Sequence, residues 1–192
     1  MKSTGYGAAG LFLATLAMAL PAIWGPTDSP VQAAGSDTSV KDNQLSFSLP
    51  DLAGDVVSLS DDRFKGKVVL VDICGTWCPP CRVEIPHLVR FHEKYSDQGL
   101  EIVGIAFEKA PPDKQVRELK RFIKDNDIEY TVLLGGSTGG NVEKEMPALE
   151  NFHGYPTTIF IGRDGKVKKV DVGFGPDKAP VMERLIVRLL DE

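Results

Sequence analysis

The 192-residue sequence has almost no cysteine. Its three cysteines lie together at Cys74, Cys78 and Cys81. So few cysteines in one cluster exclude a small secreted domain held together by several disulfides. The absence of a second cysteine pair excludes a structural zinc site built from two such pairs. A c-type haem attachment site is excluded as well, because Arg82 rather than histidine follows the last cysteine.

The sequence also lacks an excess of positive charge. It contains 22 Lys and Arg against 27 Asp and Glu, which gives a formal net charge of −5. This balance argues against dedicated nucleic-acid binding, and we expect no nucleic-acid partner. The hydrophobic content of 42% is ordinary, so most of the chain is expected to fold into one globular domain.

The N-terminus differs from the rest of the chain. Residues 8–22 form an apolar run that is typical of a signal peptide, and the small-residue pattern favours cleavage after Ala33. The alternative is an uncleaved membrane anchor, because the run approaches the lower limit of about 17 residues for a spanning helix. Both interpretations place the domain outside the cytoplasm. We therefore expect a signal or anchor over 1–33, a linker over 34–43 and the domain over 44–192.

The hydrophobic pattern of the domain predicts an α/β fold. A hairpin of strands 45–49 and 56–59 comes first, and the apolar run 68–74 is typical of a strand buried on both faces. Further strands are predicted at 101–107, 130–134, 157–161 and 167–172, with helices at 81–95, 113–124, 146–152 and around 181–190. The glycine-rich segment 135–141 lacks the Lys-Ser/Thr ending of a phosphate-binding loop, so a surface loop is expected there.

The sequence Trp77-Cys78-Pro79-Pro80-Cys81 lies between the buried strand and a helix. Two cysteines three residues apart share one side of a helix, so their sulfurs can form a reversible disulfide. The free N–H groups at the helix start favour a thiolate at Cys78, whereas Cys81 lies one turn further in and is expected to be more buried. The pattern therefore predicts that Cys78 is the attacking nucleophile and Cys81 the resolving cysteine.

These features resemble the thioredoxin superfamily, and within it the extracytoplasmic TlpA/ResA-like thiol-disulfide oxidoreductases with a redoxin-type N-terminal hairpin. The stretches that carry the resemblance are 47–52, 57–60, 66–72, 75–86, 154–161 and 163–167. The resemblance implies a thioredoxin-like fold, in which helices flank a mixed central sheet and a β-hairpin extends the N-terminus.

The resemblance also assigns a docking surface for substrates. Pro156 matches the cis-proline of the family, whose cis bond would place the backbone of Tyr155 beside the disulfide. Trp77 would shield the Cys78 sulfur and form the docking rim together with Pro79 and Pro80.

Two acidic residues are further site candidates by resemblance. Asp72 matches the buried aspartate of thioredoxin, which is thought to exchange a proton with the resolving cysteine, and burial would raise its pKa. Glu84 matches a glutamate that lies near the active site in the TlpA/ResA group. The alternatives are a surface aspartate at position 72 and a solvated helix charge at position 84.

The implied function is a disulfide reductase for proteins outside the cytoplasm, for example in cytochrome c maturation. A membrane dithiol protein of the DsbD/CcdA type would supply the electrons, a monomer is expected, and no cofactor or metal is implied.

One alternative is a Sco-like copper carrier that uses Cys74, the other two cysteines and His153. A peroxiredoxin-type peroxidase is a weaker one, because its Pro-x-x-x-Thr-x-x-Cys loop does not precede Cys78. Unless the copper alternative applies, Cys74 is expected to be a core residue with no role in the chemistry.

Overall fold

A computed structural model describes residues 1–2, 38–138 and 142–192 of the chain. The predicted signal peptide or anchor, its cleavage point and the first part of the linker lie outside these residues. All the described helices and strands belong to one compact unit, Ala34–Glu192. Among the described helices, none combines the length and the apolar character needed to span a membrane.

The described residues form nine strands and four α-helices. The strands are β1 (Ser39–Val40), β2 (Ser48–Pro50), β3 (Val56–Ser58), β4 (Val68–Cys74), β5 (Leu100–Glu108), β6 (Thr131–Ser137), β7 (Leu149–Glu150), β8 (Thr157–Ile161) and β9 (Val167–Val172). The helices are α1 (Pro79–Tyr95), α2 (Pro112–Asp125), α3 (Val142–Glu145) and α4 (Lys178–Leu190). The predicted mixed α/β fold with an N-terminal hairpin is confirmed, since β2 and β3 pair antiparallel.

Five strands form the central sheet, in the order β6-β5-β4-β8-β9. β4, β5 and β6 are parallel because α1 and α2 make the crossover connections between them. β8 is antiparallel to both β4 and β9. The carboxyl ends of β4 and β5 and the beginning of β8 therefore meet at one edge of the sheet.

Side chains of β4 alternate between two cores. Val69, Val71 and Ile73 pack on the face that the hairpin covers. Val68 and Leu70 pack on the opposite face, against α1 and α4. Because side chains in a strand alternate with a period of two, Asp72 and Cys74 continue this second, helix-covered face.

The segment before the hairpin is more ordered than a linker. β1 pairs antiparallel with β7, and Val40 is buried in the same core as Leu149. The Thr38 hydroxyl donates a hydrogen bond to the Asn151 carbonyl at 2.7 Å. Part of the predicted linker therefore belongs to the folded unit.

The helix predicted over 146–152 is wrong. The chain instead forms α3, a turn and β7, in which Met146 and Leu149 are both buried. A turn followed by a short strand satisfies the apolar spacing that resembled a helix. The glycine-rich segment also differs, because Gly135 belongs to β6 and a Cβ there would lie 2.5 Å from the Phe107 ring.

Candidate active site

The two motif cysteines lie at the start of α1. Cys78 is the N-cap residue, and Pro79 and Pro80 occupy the first helical positions, where no N–H donor is needed. A disulfide joins Cys78 to Cys81, with their Cα atoms 5.3 Å apart. The Cys81 N–H donates a hydrogen bond to the Cys78 sulfur at 3.4 Å. The helix N-terminus therefore directs donors and positive potential at the Cys78 sulfur.

Both cysteines are enclosed in the oxidised protein. Cys78 is 3% exposed and Cys81 is 0% exposed, so Cys81 is slightly more buried than Cys78, as the sequence predicts. The role of Cys78 as the attacking nucleophile stays a prediction that rests on its position at the helix terminus.

The end of β5 holds the loop before Cys78. The residue patterns of the sequence did not predict this contact. The Glu108 carboxylate accepts hydrogen bonds from the Thr76 N–H at 2.9 Å and from the Thr76 hydroxyl at 2.6 Å. The Trp77 indole N–H donates to the Phe107 carbonyl at 2.9 Å. The available signal was the position of Glu108, because binding and catalytic groups of α/β proteins gather at the carboxyl ends of parallel strands.

An aromatic cluster lies beside the disulfide. The Trp77 and Tyr155 rings meet edge to face with centroids 5.3 Å apart, and Phe152 contacts Tyr155 at 5.0 Å. The Tyr155-Pro156 peptide bond is cis. The Lys109 ammonium lies 3.8 Å from the centroid of the Trp77 ring.

The exposure of the docking candidates varies. Pro79 is exposed, Pro80, Trp77 and Tyr155 are partly exposed, and Pro156 is buried. Burial, with a smaller contribution from the Cys74 thiol, raises the pKa of Tyr155 to about 12, so its hydroxyl stays a donor at neutral pH. The structure brings these residues together, and their role in docking stays a prediction.

Two buried carboxyl groups lie on the helix-covered face of the sheet. Asp72 and Glu84 are each 1% exposed, so neither the surface aspartate nor the solvated helix charge fits the structure. The Thr158 hydroxyl donates to Glu84 Oε1 at 2.8 Å, and Thr158 is the register partner of Asp72 across the sheet. Within the described part of the chain, Asp72 Oδ1 and Glu84 Oε2 have no hydrogen-bond partner.

Burial controls the ionisation of both acids. It raises the pKa of Asp72 to about 7, against a smaller lowering by a hydrogen bond with Cys74. Burial, followed by repulsion from Asp72, raises the pKa of Glu84 to about 9. Because each charge disfavours the other, the two acids titrate as a pair that holds at least one proton near neutral pH. Such a pair can therefore take up a further proton near neutral pH.

Cys74 and His153 do not form a metal site with the disulfide. Burial, with a smaller contribution from the Asp72 charge, raises the pKa of Cys74 well above its ordinary value, so this free thiol stays protonated. The imidazole of His153 is exposed. Across residues 38–138 and 142–192, no three His, Cys, Asp or Glu side chains are arranged to hold a metal ion.

The fold and this site correspond to a known family. The family model described as Redoxin matches residues 38–186. The chain belongs to the redoxin family. The predicted resemblance to the thioredoxin superfamily is thereby confirmed, and the matched range of this redoxin includes β1 as well as the hairpin.

Relatives of this redoxin carry names from the same chemistry. Thiol-disulfide oxidoreductase ResA of Bacillus thuringiensis subsp. konkukian is 33% identical over 121 residues, which are 63% of this chain and 62% of that protein. Thioredoxin-like protein YneN of Bacillus subtilis is 32% identical over 127 residues, 66% of this chain and 68% of that protein. This redoxin thus matches less than two thirds of the length of that ResA.

A solved structure shows the same architecture. The thiol:disulfide interchange protein of the thioredoxin family from Chlorobium tepidum is 28% identical, with a TM-score of 0.62. The superposition covers 81% of this chain and 99% of that one. The two proteins therefore share their fold over most of both chains.

Proposed function

We propose that this redoxin is a thiol-disulfide oxidoreductase that reduces protein disulfides through Cys78 and Cys81. The observation that carries the proposal is the disulfide at the N-terminus of α1, a helix that also carries the buried Glu84. The names of the ResA relative and of the Chlorobium tepidum protein, a thiol-disulfide oxidoreductase and a thiol:disulfide interchange protein, support the same chemistry.

The reaction begins with the reduced protein. The Cys78 thiolate attacks one sulfur of a substrate disulfide, so a mixed disulfide forms and the first substrate thiolate leaves. Cys81 then transfers its proton to the carboxyl pair, and its thiolate attacks the Cys78 sulfur. The Cys78–Cys81 bond forms as the mixed disulfide breaks, and the second substrate sulfur leaves and takes up a proton. Two electrons have passed from the dithiol to the substrate.

Two opposing charge effects bear on the direction of electron flow. The helix N-terminus favours a Cys78 thiolate and hence the reduced protein. In this proposal the buried carboxyl pair opposes this effect, because a thiolate close to the pair either meets a negative charge or forces the pair to hold another proton. The neutral disulfide carries no such penalty. We propose that the effect of the carboxyl pair exceeds that of the helix N-terminus, so that the oxidised form is favoured and the reduced protein is a reductant.

Substrate and location complete the proposal. Trp77, Tyr155 and the backbone before Pro156 form a rim beside the disulfide, where an extended segment of a partner protein can dock. We propose an extracytoplasmic monomer, soluble after signal cleavage or anchored at its N-terminus. Cysteine disulfides of apocytochrome c are the proposed substrates, and a membrane dithiol protein of the DsbD/CcdA type is the proposed donor.

Trapping experiments test the assigned order of the two cysteines. We expect Cys81→Ser to accumulate a mixed disulfide with a protein substrate such as insulin, because the proposed resolving thiol has been removed. Cys78→Ser is expected to lose both insulin reduction and trapping. Cys74→Ser is the matched control and is expected to retain insulin reduction, since this thiol lies outside the exchange. Trapping by Cys78→Ser instead of Cys81→Ser would reverse the assignment.

A further inference from the structure

Glu108 is a buried acid that the exchange reaction does not use. It is 2% exposed at the carboxyl end of β5, where its backbone is paired with Ser137 of β6 and its carbonyl accepts from the Thr138 N–H at 3.0 Å. Both oxygens of its side chain accept hydrogen bonds from Thr76. A carboxylate that accepts from two donors of one residue holds that residue in a fixed orientation.

Thr76 is separated from the nucleophile by one residue. The turn between them is closed by the Cys78 N–H, which donates to the Gly75 carbonyl at 3.0 Å. The same turn packs tightly on β5, since a Cβ at Gly75 would lie 2.6 Å from the Phe107 carbonyl. The position of the Cys78 backbone therefore depends on how this loop is held against the end of β5.

We propose that Glu108 is a positioning residue, whose carboxylate holds Thr76 so that the Cys78 sulfur is aligned for attack. Thiol-disulfide exchange requires the attacking sulfur to approach along the axis of the bond that breaks. Small displacements of a reacting group lower such rates strongly, by up to about 100-fold for 1 Å. The inference concerns exchange at Cys78 in either direction, so it does not depend on the proposed role as a reductase.

The test compares variants that retain or remove the contact. Glu108→Ala removes both acceptors, and Thr76→Val removes the hydroxyl donor while keeping the shape of the side chain. Glu108→Gln keeps one acceptor for the Thr76 N–H and an amide that can donate to the hydroxyl oxygen. Thr76→Ser keeps both donors and is the conservative variant.

Gln115→Ala is the matched control for loss of buried hydrogen bonds. Gln115 is also buried near this end of the sheet and donates to the Ala110 carbonyl and the Ser137 hydroxyl, but not to the loop before Cys78. Its substitution is expected to lower stability without changing exchange.

Two rates are measured on folded protein, well below the unfolding temperature. One is disulfide exchange, with dithiothreitol for the oxidised protein and with insulin for the reduced protein. The other is alkylation of the reduced protein by iodoacetamide, which reaches the sulfur from many directions. We expect Glu108→Ala and Thr76→Val to slow exchange by about tenfold or more but alkylation by less than about twofold. Thr76→Ser is expected to exchange at the wild-type rate. Glu108→Gln is expected to exchange at a rate between those of the wild type and Glu108→Ala.

The outcomes separate this inference from the proposed function. If the wild type exchanges with dithiothreitol but does not reduce insulin, the reductase proposal fails and the Glu108 comparison is still read from dithiothreitol. If Glu108→Ala and Gln115→Ala lose similar stability while both exchange at the wild-type rate, Glu108 has only a structural role and the inference is overturned. Equal slowing of exchange and alkylation would overturn it as well. Should Glu108→Ala fail to fold, Thr76→Val and Thr76→Ser decide.

Discussion

At the scale of single residues, Asp72 and Glu84 make the stability of the fold depend on pH. Their pKa values in the folded protein, about 7 and about 9, lie above those of the unfolded chain, which are about 4. Between these limits the folded state binds more protons than the unfolded state. The stability that these two acids contribute is therefore fully present below about pH 4, and it is lost as the pH rises through their pKa values in the folded protein.

Urea unfolding at several pH values measures this effect. We expect the free energy of unfolding of the wild type to decrease from pH 5 to pH 9. Asp72→Asn and Glu84→Gln are each expected to flatten the decrease, and Glu84→Gln to exceed the wild type by more than about 2 kcal/mol at pH 9. The glutamine retains an acceptor for the Thr158 hydroxyl.

Asp113→Asn is the control for the pH experiment, because Asp113 is exposed on α2. Its unfolding curve is expected to follow that of the wild type at every pH. Identical pH slopes in the wild type, Asp72→Asn and Glu84→Gln would contradict the burial of two protonated acids.

At the scale of elements, β1 connects the start of the domain to the segment that leads to the cis-proline. Val40 of β1 is 8% exposed and packs in the core that contains Leu149 of β7. β7 ends just before Phe152 and Tyr155 of the aromatic cluster. The pairing of β1 with β7 therefore fixes one end of the loop that carries Tyr155 and the cis-proline, which we propose as the docking rim.

A pair of identical substitutions tests the contribution of β1. We expect Val40→Ala to lower the free energy of unfolding by about 1–3 kcal/mol, because it removes two buried methyl groups from the core. Val56→Ala makes the same change on the 69% exposed Val56 of β3 and is expected to be close to neutral. Urea unfolding measures both changes. Equal losses in the free energy of unfolding for the two variants would show that the packing of Val40 in β1 does not stabilise the domain.

The elements differ in how far the sequence predicts them. β4 and α1 are predictable, because a continuous apolar run and a proline-started amphipathic stretch each have one favoured structure. β1 is not, since a two-residue strand carries too few side chains for a pattern. β7 is not either, because a turn and strand bury Met146 and Leu149 as well as a helix would.

The same distinction applies within the site. Cys78 and Cys81 are only three residues apart, so their spacing alone predicts a shared chemistry. Resemblance identifies Asp72 and Glu84, and their burial excludes a surface aspartate and a solvated helix charge, whereas their roles in the reaction stay predictions. Glu108 holds Thr76 across 32 positions of sequence, and such a contact exists only after β4 and β5 have paired.

At the scale of the whole molecule, the sheet assembles the site from distant segments. The parallel pairing of β4 with β5 brings Glu108 beside Thr76, and the antiparallel β8 brings Tyr155 beside Trp77. In the proposed reaction, the helix N-terminus at Cys78 and the buried acids Asp72 and Glu84 act on the sulfurs with opposite sign. The balance of these two effects determines whether the protein gives or takes electrons.

The reduction potential of the Cys78–Cys81 pair tests this account most directly. It is measured by equilibration with a dithiothreitol redox buffer at pH 7 and quantified by alkylation of the free thiols. The account predicts a value near that of thioredoxin, about −270 mV, or more negative, and a less negative value in the double variant Asp72→Asn, Glu84→Gln. A wild-type potential near that of the oxidant DsbA, about −120 mV, would contradict the proposal that the protein is a reductant.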